Sequence, residues 1–165
     1  MDGNGFWRLI GLLAGHVDPG SIERLIAALA ELPTSEIEGF DDRLHEVVYE
    51  LDGPAWYEQP VNDPGVTELQ LEVFLVELLA GEADDTLAVD GFLFARAAVV
   101  SAGRETYQQV LADPRTFAGD RDSRAQALLF VAQRAYERVA SDHYDHVPPH
   151  DVGTGSNTDL WGSRN

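Results

Sequence analysis

The sequence predicts an all-α protein: a compact bundle of about six helices followed by an irregular C-terminal tail. Three observations carry that prediction. Apolar residues recur at spacings of three and four through most of residues 4–141. Residues that cap or stop helices punctuate those runs. From Asp142 onward the periodicity ends, and Pro148-Pro149, Gly153, Gly155 and Gly162 mark an extended segment. The chain therefore reads as one helical domain, residues 4–141, with a tail over 142–165.

Each element has its own justification. Phe6, Trp7, Ile10, Leu13 and Ala14 form the stripe of a first short helix, ended by Gly15. Asp18 is a natural N-cap with Pro19 in the first helical position. Ile22, Leu25, Ile26, Leu29 and Leu32 then line a second helix, and Pro33 stops it. Ser35 and Glu38 fit a capping box, with Ile37, Phe40, Leu44, Val47, Val48 and Leu51 as the inward face of a third helix. Asp52-Gly53-Pro54 breaks that helix, and residues 52–65 read as a loop whose Trp56 and Tyr57 pin it to the core or wall a pocket. Residues 66–80 mix alternation with helical spacing, and length favours a helix. Phe92, Ala95, Val99, Gly103, Tyr107, Val110 and Leu111 share one stripe. Gly103 inside it implies either a close helix approach or a break with a new helix from Arg104, because a mid-helix Gly costs about 1 kcal/mol. A last helix runs from about Ser123 to Ser141, N-capped by Asp122, with Ala127, Leu128, Val131, Ala135, Tyr136 and Val139 inward. Leu160 and Trp161 are placed to anchor the end of the tail on the body.

Composition narrows the function classes. The 165 residues hold 29 Asp and Glu against 11 cations, all Arg, for a formal net charge of −18, and no Cys. Without thiols there is no disulfide frame, no Cys-ligated metal and no cysteine nucleophile. A charge this negative argues against direct contact with nucleic-acid backbones or anionic membrane. The acids are unevenly placed: residues 1–89 hold 19 of them with three Arg, whereas residues 90–165 hold 10 with eight Arg. With neither a secretory signal nor an apolar span, the expected location is cytoplasmic.

Few residues group into recognisable chemistry. His143, His146 and His150, beside Asp142, Asp145 and Asp151, are the one metal-like cluster, but they lie in the Pro-containing tail, so no metal site is expected. Arg96 and Arg104 stand eight residues apart, which on one helix places both guanidinium groups on the same side. With Asp90 and Glu105 nearby and Trp56 or Tyr57 as a wall, they suit a carboxylate or phosphate clamp, or else ion pairs with the protein's own acids. Glu46 and Glu50 share a helix face without the His of a carboxylate-bundle pattern. Phosphate-binding Gly loops, HExxH and GxSxG are all absent.

The chain resembles an uncharacterised bacterial family common in actinomycetes, domain of unknown function 4240. The residues carrying the resemblance are Phe6-Trp7 with Leu9-Ile10, Leu32-Pro33 before Glu36-Ile37 and Phe40, and Asp90-Gly91-Phe92 with Arg96. Gly103-Arg104-Glu105 with Tyr107, Ala112-Asp113-Pro114, Ala127-Leu128-Leu129, Ala135-Tyr136-Glu137 and Thr154-Gly155-Ser156-Asn157 with Trp161 extend it. It is interrupted through residues 52–85, and Ala95 and Ala98 stand where members often carry bulky aromatics. The resemblance implies an α-helical domain and no established activity, cofactor or catalytic residue. Some relatives sit beside nucleic-acid-processing or regulatory domains, which fits an accessory role.

The functional expectation is a protein-interaction or regulatory module that uses its acidic N-terminal half, including Glu36, Glu38, Asp41 and Asp42, toward a basic protein partner. The alternative is a small-molecule or anion-binding protein, or an enzyme, built on Arg96 and Arg104. A weaker third reading is a nucleic-acid mimic. No cofactor is expected, an enzyme is the less favoured class, and the oligomeric state is open.

Overall fold

The computed structural model describes residues 1–65, 85–140 and 142–162, with side chains of 85–90 outside that description. The segment 66–80, left between strand and helix by its pattern, lies outside the described residues. Among the described residues the chain forms eight α-helices, three 3-10 segments and two very short strands.

The first helix, α1 (Gly3–Ile10), starts at Asp2, whose Oδ1 accepts the Gly5 N–H at 2.7 Å, and runs into a 3-10 turn (Gly11–Leu13). Ala14, counted on the apolar stripe, is instead exposed in the left-handed region at φ 50°, and it turns the chain toward Asp18. The Asp18 carboxylate accepts the Gly20 and Ser21 N–H groups and opens α2 (Pro19–Ala30) as its composition predicts. Hydrogen bonds from Ser21 hold this carboxyl below the ordinary range.

The third helix, α3 (Thr34–Glu50), departs from the predicted cap. Ser35 and Glu38 form no capping box; the Pro33 carbonyl takes the Glu36 and Ile37 N–H groups, so the helix begins two residues earlier. Ile37, Phe40, Leu44, Val47, Val48 and Leu51 are nevertheless all fully buried. Burying each contributes roughly 1.5–3 kcal/mol before the entropic cost of ordering it.

The loop after α3 contains one helical turn, α4 (Pro54–Tyr57). Trp56 points inward and donates its Nε1–H to the Val110 carbonyl at 2.9 Å, tying this loop to a helix far along the chain. Just beyond it, β1 (Val61–Asn62) pairs in parallel with β2 (Gly119–Asp120).

Gly103 breaks the second half of the bundle. It adopts φ 100°, so the predicted stripe is two helices, α5 (Asp85–Ser101) and α6 (Arg104–Ala112), rather than one. No atom lies within 4 Å of where a Cβ would sit, so the position requires the glycine backbone and no close helix approach. The predicted last helix also divides. Ser123–Phe130 is a 3-10 segment, capped by Asp122 through the Arg124 N–H at 2.9 Å, and only Val131–Val139, α7, is α-helical. The 3-10 segment packs on α5, and α7 packs on α2 and α3.

The tail is not a free end. Residues 142–157 run in irregular conformation along α3, and a last turn, α8 (Thr158–Trp161), closes against α4, where the Tyr57 and Trp161 rings meet edge to face at 5.5 Å. Among the described residues no helix is long and apolar enough to cross a membrane.

Candidate functional site

One edge of α3 carries a run of polar contacts to the C-terminal segment. Asp41, His45, Tyr49 and Asp52 recur at spacings of four, four and three, which places them in one row along the helix and its C-terminal end. Against this row lies the C-terminal segment, and each residue of the row holds a piece of it.

The near end of the row is carboxylate-rich. Tyr144 donates its hydroxyl to Asp41 Oδ2 at 2.7 Å, and His146 Nε2 lies 2.7 Å from Asp42 Oδ1. Asp41 is buried, and loss of hydration pushes its carboxyl up, against the opposing pull of the Tyr144 hydroxyl, His45 and His146. Tyr144 is pushed well above the ordinary phenol range by its burial and by the Asp41 charge it faces. In the middle, His45 Nδ1 lies 2.9 Å from the His150 carbonyl, and the Tyr49 and His150 rings pack with centroids 4.8 Å apart. The His45 Nε2 atom stands 3.9 Å from Asp41.

The far end is a closed clasp around Asp52. Its carboxylate is fully buried and accepts the Gly155 and Asn157 N–H groups, the Ser156 hydroxyl and the Trp161 indole N–H, at 2.9–3.2 Å. Asn157 also donates to the Tyr49 carbonyl at 3.1 Å. Arg96 enters from α5 with its side chain wholly buried, 3.7 Å from Asp52 Oδ1. It donates to the Val48 and Val152 carbonyls at 3.1 and 2.8 Å and sits 4.7 Å over the Phe92 ring. Burial draws the Arg96 pKa down to about 10, opposed by Asp52 and Asp151, so the group stays charged near neutral pH.

The structure separates the predicted Arg pair. The break at Gly103 sends Arg96 into the core, whereas Arg104 stands exposed and donates to Asn4 Oδ1 at 3.1 Å. Glu105 is exposed beside Arg104. Asp90 falls inside α5 rather than at its start, and its side chain lies outside the described residues. No two-armed clamp forms from Arg96 and Arg104. Tyr57 does wall a cavity of about 340 Å³, with Phe92, Phe117 and Arg121 among its other lining residues, while Trp56 is turned into the core.

The three tail histidines are likewise drawn apart. His143 lies 3.9 Å from Glu137, His146 is on Asp42, and His150 offers its ring to Tyr49 and its carbonyl to His45. Among the described residues no group of three His, Asp or Glu is placed to hold a metal. Glu50 accepts the Tyr107 hydroxyl, and Arg43 pairs with Glu46, so neither carboxylate of that helix pair faces the other across an open site.

Residues 72–138 match a family model described as Protein of unknown function (DUF4240). The DUF4240 match takes in α5, α6 and nearly all of α7, but neither α3 nor the C-terminal segment. Within this structure, therefore, the DUF4240-like stretch supplies the buried cation Arg96, and the carboxylates that grip the tail come from outside it. No curated protein and no solved structure matches the chain.

Sequence reasoning passed over Asp41, Asp42, His45 and Asp52 as grips for the tail. The available signal was their spacing along α3, where polar residues follow the edge of an otherwise apolar stripe.

Proposed function

We propose that this chain is a protein-interaction or regulatory module of the cytoplasm, whose acidic surface engages a basic protein partner. One observation supports it above others: six of the eleven Arg face carboxylates of the same chain while exposed acids stand outside any described ion pair. Arg43, Arg96, Arg115, Arg124, Arg134 and Arg138 each face a carboxylate of the same chain. Among the described residues no ion pair holds Glu31 or Glu58, both exposed. A formal charge of −18 with more than half of its cations so engaged projects a negative field, which steers and orients a positively charged partner. An exclusively Arg cation set also fits a GC-rich bacterial source.

The structure redefines which acids to test. Asp41 and Asp42 hold the tail, so reversing them would disturb the fold before it tested binding. Glu31→Lys with Glu58→Lys reverses charge at exposed positions that hold no described ion pair. The probe is a labelled arginine-rich peptide followed by fluorescence anisotropy between about 0.05 and 0.5 M salt, where screening shortens from beyond 10 Å to a few ångströms. Binding should weaken steeply with salt and fall about threefold to tenfold in the double variant. Affinity indifferent to both salt and charge reversal would refute the proposal.

A further inference from the structure

The cavity of about 340 Å³ walled by Tyr57 is built from several distant parts of the chain. Tyr57 ends α4, Phe92 and Ala95 come from α5, and Phe117 ends the 3-10 turn Pro114–Phe117. The β1–β2 ladder completes it. Side chains alternate across a strand. Val61 and Arg121 therefore fall on one face of the ladder and border the cavity. Asn62 and Asp120 fall on the other, where the Asn62 amide donates to Asp120 Oδ1 at 2.9 Å.

The aromatic walls support one another. Tyr57 meets Phe92 edge to face at 5.2 Å and Trp161 at 5.5 Å, and Phe92 packs on Phe117 at 5.7 Å. Arg121 brings charge to this apolar surround. Its guanidinium lies 5.5 Å from the Phe117 ring centroid and donates to the Thr116 and Asp120 carbonyls at 2.9 and 2.8 Å. Six other arginines face carboxylates, but among the described residues no ion pair holds Arg121, and its buried Nε has no hydrogen-bond partner. Burial draws its pKa below the ordinary guanidinium value, with Asp120 opposing, so the charge is partly stripped of water. Asp63 also borders the cavity, but its Oδ1 accepts the Gly65 and Ser123 N–H groups at 2.8 and 2.9 Å, which commits it to the backbone.

We propose that this cavity binds a small aromatic carboxylate, with its ring among Tyr57, Phe92 and Phe117 and its carboxylate on Arg121. Mostly apolar walls with few charged groups are the usual makeup of a small-molecule site. A planar guanidinium takes a carboxylate through parallel N–H···O bonds. A ring beside Tyr57 and Phe117 gains the edge and face contacts that aromatic pairs prefer. The inference goes beyond the acidic-surface reading and does not depend on it. In a chain of net charge −18 an anion is recognised by local contact with one unneutralised cation, not by the long-range field.

Titration of the isotope-labelled full chain with phenylacetate, followed by amide NMR shifts, tests the site. Saturable shifts should gather at the Gly91, Phe92 and Arg121 amides and at the Arg121 Nε–H signal. The dissociation constant should be on the order of 1 mM or below, as a ligand this small allows. Acetate, which lacks the ring, and benzylamine, which carries the opposite charge, should each bind about tenfold more weakly or worse. Gly91→Leu fills the cavity from α5, at a position where an added Cβ meets no atom within 4 Å and where losing glycine favours the helix. It should abolish binding while the fold is kept. Arg121→Gln should weaken phenylacetate about tenfold or more. If that variant unfolds for want of its Thr116 contact, Gly91→Leu decides alone. No saturable shift, or shifts that Gly91→Leu leaves intact, overturns the site. Acetate binding as tightly as phenylacetate overturns the aromatic part. Benzylamine binding as tightly as phenylacetate overturns Arg121 as the recognising charge.

Discussion

Asp52 and Arg96 meet at 3.7 Å with neither side chain exposed. The pair joins three parts of the chain that are distant in sequence: the end of α3, the middle of α5 and the C-terminal segment. Breaking one member of a buried pair costs about 3–5 kcal/mol, because the other charge is left uncompensated. Asp52→Asn removes the charge and places an amide N–H among donors. It should lower Tm by about 6–20 °C, at roughly 2–4 °C per kcal/mol for a chain of this size. Arg96→Met alone should be similarly costly. The double variant should lose less than the sum of the two by about 1–3 kcal/mol. Thermal denaturation followed by circular dichroism checks this; strict additivity would mean that the two groups do not stabilise each other.

Gly103 offers a test in which two readings differ in sign. Were it an interior position of one long helix, Gly103→Ala would stabilise the protein by about 1 kcal/mol. The observed φ of 100° with ψ of 172° lies in a region essentially reserved for glycine, where another residue costs about 1–3 kcal/mol. Urea denaturation of Gly103→Ala should therefore show destabilisation. A stabilised variant would mean that α5 and α6 are continuous.

The bundle was legible because its apolar stripes are regular. Phe40, Leu44, Val47 and Leu51 announce an inward face through spacing alone, and all four are fully buried. Backbone conformation was less legible. The stripe from Phe92 to Val110 runs through Gly103 unbroken, since periodicity reports which residues face inward and not whether the helix is continuous. At the 3-10 segment Ser123–Phe130, Leu128 is buried as its spacing demands although the winding is tighter. The C-terminal segment was least legible. Its attachment depends on hydrogen bonds to residues about 100 positions earlier, as between Asp41 and Tyr144, and no local pattern encodes them. Arg96 and Arg104 failed as a pair for the same reason as the long helix: their shared direction depended on no break between them.

The histidine placement predicts a weak response to zinc. A tetrahedral site needs three or four ligands converging at about 2 Å from one point. His143, His146 and His150 instead face Glu137, Asp42 and Tyr49. Bringing them together would require the His146–Asp42 bond and the His150 packing to be given up. Calorimetric titration with zinc at micromolar concentration should register no saturable heat. A stoichiometric transition would show that the segment rearranges into a site the present geometry lacks.

Asp41 gives a pH dependence with a definite sign. Burial raises its carboxyl above the value it has in the unfolded chain. Between those two values the folded state binds the extra proton, so stability falls as pH rises through the window and is regained as pH falls. This is opposite to Asp18, whose capping bonds lower its carboxyl and whose contribution is lost as pH falls. Asp41→Asn keeps an acceptor for the Tyr144 hydroxyl and removes the ionisation. Stability of the wild type relative to this variant should therefore decline from about pH 4 toward neutrality and then level off. Urea denaturation of both proteins across that range measures the difference. A gap that widens in favour of the wild type with rising pH would mean that Tyr144, His45 and His146 together outweigh the cost of burying the charge.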